Sequence, residues 1–231
     1  MANFVGVDGC RGGWFAVWLE QEQLQGAIFP DIASLHMAHS DARKVLIDIP
    51  IGLLETAQRS LEQEVRQRLG PRRSSVFPVP CLSAAYAPDY PTANQTNRAR
   101  LGKGLSKQAW YLCPKIREVN DFLLANPECQ NVFGESHPEL AFTVLNGVAM
   151  AETKKSLAGS KARIKLLSAR LPDVTRFLDQ QLSLYPRNQL LQDDCVDALV
   201  LLVAAQQAKP LSLPHPQVGE GGVAINMWVP A

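Results

Sequence analysis

Short apolar runs alternate with polar, helix-like stretches along the chain. Residues 4–7 (FVGV), 14–19 (WFAVWL) and 23–29 are runs with the length of strands, spaced closely enough to predict an antiparallel meander turning through residues 8–13. Asp31 is placed to cap a short helix over residues 33–39. Residues 44–49 (KVLIDI) form a β-branched run suited to a central strand covered on both faces. A charged helix is predicted over residues 56–69, then the pattern breaks. Between residues 70 and 105 lie Pro71, Pro78, Pro80, Pro88 and Pro91, the pair Arg72–Arg73 and a polar run, PTANQTNRAR; this predicts an inserted loop region within a single domain spanning residues 1–231.

Periodicity returns with a helix over residues 106–124, interrupted by Pro114. A short strand follows at residues 131–135 (NVFGE), then helices from residue 138 to 145 and from 154 to 171. The last of these carries Lys154, Lys155, Lys161, Arg163, Lys165 and Arg170 as an expected basic face. Residues 193–208 (DDCVDALVLLVAAQQA) read as a helix with acids in its first turn, where the dipole favours them. GGVAINMWVP suggests a closing strand. This order predicts an α/β protein: a mixed sheet covered by helices, with an inserted loop and helix region.

Bulk properties narrow the function classes. The 231 residues are 46% hydrophobic, enough for a sizeable core, and the net charge of +1 argues against binding nucleic acid through overall basicity. Five scattered cysteines without a CxxC pair argue against a structural zinc site or a disulfide framework. The start has no basic segment leading into an apolar stretch, so no signal peptide is expected, and the longest apolar run is too short for a membrane span. A cytoplasmic protein without membrane contact is the expectation; oligomeric state is not legible.

The candidate chemistry lies in acids at the ends of apolar strands. Asp8, Asp48 and Glu135 each stand at or near such an end, and Asp194 and Asp197 share one face of the last helix's first turns. Clustered carboxylates repel one another and call for a counter-charge; an all-oxygen set suits Mg²⁺ or Mn²⁺ rather than zinc or copper, and two such ions can cleave a phosphodiester. Several of these acids also have a plainer reading. Asp before Gly is a turn former, Asp48 and Asp193–Asp194 can cap helices, and only Asp197, inside CVDALVLL, resists one. Spacing alone leaves both readings open. His137 is a weaker candidate ligand or base, Ser74 and Ser75 lack triad partners, and GCRGG lacks the spacing and lysine of a phosphate loop. Arg72, Arg73, Lys107, Lys115 and Arg117 are candidate phosphate contacts, or ordinary solvated charges.

Taken together, VGVDGCRGGW, LIDIPIGL, LGPRRSSVF, SKQAWYLCPKIREV, ESHPELAF, a KK…G…R…LL pattern and DDCVDALVLL resemble the DUF429 family, over about residues 4–207. That family is described as predicted nucleases of the ribonuclease H-like fold. The resemblance implies a five-stranded mixed sheet, beginning with three antiparallel strands and flanked by helices. It also implies catalytic and metal-binding roles for Asp8, Asp48, Glu135, Asp194 and Asp197. The leading expectation is a Mg²⁺- or Mn²⁺-dependent nuclease acting on a short or structured nucleic acid, with Arg72, Arg73 and Lys107 on the phosphates. The alternatives are a nucleotide-handling enzyme related to the actin-like and sugar-kinase ATPases, disfavoured by the lack of a second DG half, and a non-catalytic binding protein of the same fold.

Overall fold

In the computed structural model, which describes residues 3–231, the three predicted opening strands form the meander: β1 (Phe4–Cys10), β2 (Gly13–Glu20) and β3 (Gln23–Phe29). Gln21 and Glu22, both at positive φ, make the tight β2–β3 turn. Asp31 caps α1 (Ile32–Ala38) by accepting from the Ser34 N–H at 2.7 Å. β4 (Lys44–Ile47) follows. Then come α2 (Leu61–Leu69), a 3₁₀ turn at Gly70–Ser75, α3 (Leu82–Ala85), α4 (Tyr90–Leu101) and α5 (Lys107–Ala125). β5 (Phe133–Glu135) leads to α6 (Pro138–Asn146), α7 (Leu157–Ser168), α8 (Val174–Leu184) and α9 (Gln192–Gln206). Four two-residue strands close the chain: β6 (Lys209–Pro210), β7 (Gln217–Val218), β8 (Ala224–Ile225) and β9 (Trp228–Val229).

The chain divides into two compact units. The first gathers residues 3–49, 131–211 and 227–231. Its five-stranded sheet has the order β3-β2-β1-β4-β5, with β1–β2 and β2–β3 antiparallel and β1–β4 and β4–β5 parallel. The apolar helix α9 lies along β1 and β4 on one face, with α6, α7 and α8 packed around it. Phe15, Val17, Leu46, Phe142 and Leu199 belong to the core between these layers. The other face carries Val5, Val7, Val45 and Ile47, all buried, and α1 packs against β2 and β3. A mixed sheet flanked by helices is therefore the architecture, as the strand pattern predicts.

The second unit comprises residues 50–130 and 212–226. It holds α2 to α5 and the β7–β8 pair. Gly52, at φ +80, lies against the Ile225 side chain and the Val223 carbonyl, where a Cβ would be 2.7 and 2.9 Å away. The stretch read as an inserted loop is partly helical: PTANQTNRAR lies in α4, which Asp89 caps at the Thr92 N–H (2.8 Å) with Pro91 in the first turn. Cap and proline together override the weak apolar pattern. Pro114 leaves α5 a single helix.

Three further differences have local causes. β1 continues to Cys10, so Asp8 is a strand residue rather than part of the turn. The basic helix begins only at Leu157, and its Arg163 is 1% exposed, turned inward onto Glu139 by two guanidinium–carboxylate hydrogen bonds of 2.9 and 2.7 Å. α8 was not expected from the sequence; its Val174, Phe177, Leu178 and Gln181 form one buried stripe. Among the described residues the five cysteines are buried and form no disulfide, and no helix is long and apolar enough to cross a membrane.

Candidate functional site

Parallel pairing of β1 with β4 aligns Val7 with Ile47, so the next residues, Asp8 and Asp48, stand side by side at the C-terminal ends of neighbouring strands. The Asp48 N–H donates to the Val7 carbonyl at 3.1 Å and holds that alignment one residue past the ladder. Alternation of the pleat puts both aspartates on the face of Gly6 and Leu46, beneath α9. Gly6 is what lets the helix come so near. A Cβ there would lie 2.1 Å from the Ala198 carbonyl oxygen and 2.2 Å from the Leu202 nitrogen.

α9 contributes the remaining aspartates. Asp197, 3% exposed, faces the sheet, and its Oδ2 accepts from the Lys154 ammonium at 2.5 Å. Asp194 uses its Oδ2 to cap the helix, accepting from the Leu191 N–H at 2.8 Å. The cap reading of Asp194 thus holds, while its charge still acts on Asp8.

The electrostatics describe one cluster. Burial, then the charges of Asp197, Asp48 and Asp194, hold the Asp8 carboxyl well above the usual carboxylate range, and Lys154 pulls it back in part. Burial and Asp197 raise Asp48 to about 7, again against Lys154, with Glu135 adding to the rise. Asp197 is raised by burial although Lys154 favours its ionised form; desolvation outweighs the ion pair. For Lys154 the balance is reversed. Desolvation lowers it, but Asp197, Asp8 and Asp48 together raise it above the usual lysine value.

Glu135 stands differently from the aspartates. It pairs with Ile47, so the pleat places it on the Val7–Ile47 face, opposite Asp8 and Asp48. The residue in phase with Asp48 is Ser136, whose N–H donates to the Ile47 carbonyl (3.0 Å) and whose hydroxyl donates to the Trp228 carbonyl (2.8 Å). His137 caps α6, its Nδ1 accepting from the Leu140 N–H at 3.3 Å. Arg72 and Arg73, in the 3₁₀ turn, and Lys107, at the start of α5, belong to the second unit.

An oxygen-only set suits a hard divalent cation. Among the described residues, however, no three His, Cys, Asp or Glu side chains converge as ion ligands, and the positive charge on Asp197 is Lys154. Sequence reasoning missed that lysine, assigning it to the basic face of a helix. The signal was the KK…G…R pattern, which contains both Lys154 and Arg163.

No curated protein and no solved structure matches the chain. The family described as "Protein of unknown function (DUF429)" matches residues 6–218, from the strand that carries Asp8 to beyond the helix that carries Asp197, and the chain belongs to that family.

Proposed function

We propose that the protein is a divalent-metal-dependent phosphodiesterase of the ribonuclease H-like fold that cleaves nucleic acid. The observation that carries this reading is the in-register pair Asp8 and Asp48 beneath the buried Asp197, three carboxylates whose mutual repulsion one lysine only partly offsets. The sheet order, three antiparallel strands followed by two parallel ones, agrees with that fold.

Asp8 and Asp48 would hold Mg²⁺ or Mn²⁺, with Asp197 joining them only where the ion displaces Lys154, Asp194 at the start of the same helix, and Glu135 acting through Asp48 from the opposite face of the sheet. Bound there, the metal would supply Lewis-acid activation of water and charge stabilisation at the phosphate. The chain's own part is positioning: β1 and β4 set the spacing of two carboxylates, and Gly6 admits the helix that brings the third. Lys154, its ammonium beside the carboxylates, is placed to neutralise Asp197 until a cation takes over.

The test is an assay of the purified protein with Mg²⁺, Mn²⁺ or EDTA against single-stranded, duplex, hybrid and branched substrates. Metal-dependent cleavage is expected, and Asp8→Asn and Asp48→Asn should abolish it while the circular dichroism spectrum stays that of the folded protein. A panel left intact under both metals would sink the reading.

A further inference from the structure

From Arg66 to Arg117 the sequence carries ten lysines and arginines against one acid, Asp89, in a chain whose net charge is only +1. Solvated helices ordinarily mix the two signs, so this excess is a local electrostatic feature. Part of it is answered inside the second unit, where Glu64 pairs with Arg68 and Glu55 with Arg100, both at 2.9 Å. Arg98, Lys103 and Lys107, all exposed, gather where α4 ends and α5 begins. Asn97 and Asn94 hold that junction. The Asn97 amide donates to the Lys103 carbonyl and the Asn94 side chain accepts from the Leu105 N–H, each at 2.8 Å.

Aromatic rings accompany the cations. Tyr90 and Trp110 lie 6.4 Å apart between centroids, and the Lys107 ammonium sits 6.0 Å from the Tyr90 ring. Tyr111, one helical turn beyond Lys107 on the same face of α5, is 73% exposed. The buried side of α5 is made by Ala109, Cys113, Ile116, Val119 and Leu123, so Tyr111 points away from the core. An exposed ring one helical turn from the exposed Lys107, on the helix that follows Arg98 and Lys103, has the chemistry of a base-stacking platform. Every base offers a π-face, and the backbone offers the charge that the cations lack.

We propose that the α4–α5 face binds single-stranded nucleic acid, with a base stacked on Tyr111 and phosphates held by Arg98, Lys103 and Lys107. A single strand is specified because a base paired within a duplex has no free face for the ring. The choice of ligand rests on the nuclease reading above; the surface itself does not involve the carboxylate cluster.

Fluorescence anisotropy of a labelled oligo-dT of about 15 nucleotides, in EDTA so that no cleavage intervenes, tests the proposal. Saturable binding that weakens as salt rises is expected. Tyr111→Ala should weaken it roughly tenfold, and Lys103→Glu with Lys107→Glu should weaken it further and flatten the salt dependence. Tyr111 is exposed, so its alanine variant should keep the wild-type melting temperature. No saturable binding, wild-type affinity in Tyr111→Ala, or equal affinity for the matching duplex overturns the proposal. Binding without cleavage in the metal assay leaves the platform standing and removes the nuclease; cleavage by a protein whose Tyr111→Ala variant binds normally does the reverse.

Discussion

The Lys154 ammonium lies 2.5 Å from a carboxylate oxygen of Asp197, and the two differ sharply in exposure: Asp197 is buried, whereas the Lys154 side chain is 43% exposed. The lysine arrives from the turn before α7 and borders solvent, while the aspartate lies on α9. A cation open to solvent therefore balances a buried aspartate and its carboxylate neighbours.

Lys154→Ala removes that balance. Breaking a buried pair leaves an uncompensated charge, but solvent screening at the lysine reduces the loss to about 1–2 kcal/mol. Thermal melting in EDTA should show a drop of several degrees. Added Mn²⁺ should raise the melting temperature of Lys154→Ala more than that of the wild type, because the ion then meets no competing ammonium. Equal gains in both proteins would show that lysine and ion do not share the site.

The carboxylate cluster also makes a pH prediction. In the unfolded chain Asp48 loses its proton near about 4; in the folded protein burial and Asp197 raise it to about 7. Between those values the folded state holds more protons, so the Asp48 contribution to stability is present at low pH and is lost as pH rises from about 4 to about 7. Melting temperatures in EDTA, read as the difference between wild type and Asp48→Asn, should widen across that range. The variant should be the more stable by on the order of 4 kcal/mol at pH 8, three pH units at about 1.4 kcal/mol each. If Asp48→Asn melts no higher than wild type at pH 8, Asp48 is not strained in this way.

Much of this arrangement was legible because strand and helix periods are local. The meander, β4, the acids at the ends of β1 and β4, and α9 all follow from apolar runs of the right length. What was not legible depended on tertiary partners. Arg163 looks like a surface charge until Glu139, 24 residues earlier, accepts two hydrogen bonds from its guanidinium. Glu135 resembles Asp8 and Asp48 as a strand-end acid, but face depends on register, and its pairing with Ile47 turns it to the opposite side. Helix α4 has little apolar periodicity and is marked chiefly by its Asp89 cap and Pro91. Lys154 lies outside any regular element, so no period marks it.

Gly6→Ala addresses the placement on which the site depends. The glycine is the second residue of the VGVDG motif, and its role comes from the helix that crosses it rather than from the backbone angle. The added methyl would meet the Ala198 carbonyl oxygen at 2.1 Å and the Leu202 nitrogen at 2.2 Å, both main-chain atoms that cannot rotate aside. Either β1 bends or α9 lifts, and α9 lies at the centre of the core, so the cost should be about 3 kcal/mol or more. Urea unfolding should show a lower midpoint with an unchanged slope. Because the same shift carries Asp197 away from Asp8, any metal-dependent cleavage should fall more than the residual folded fraction explains. A Gly6→Ala protein with wild-type stability would mean that α9 does not ride on β1 as closely as Gly6 permits.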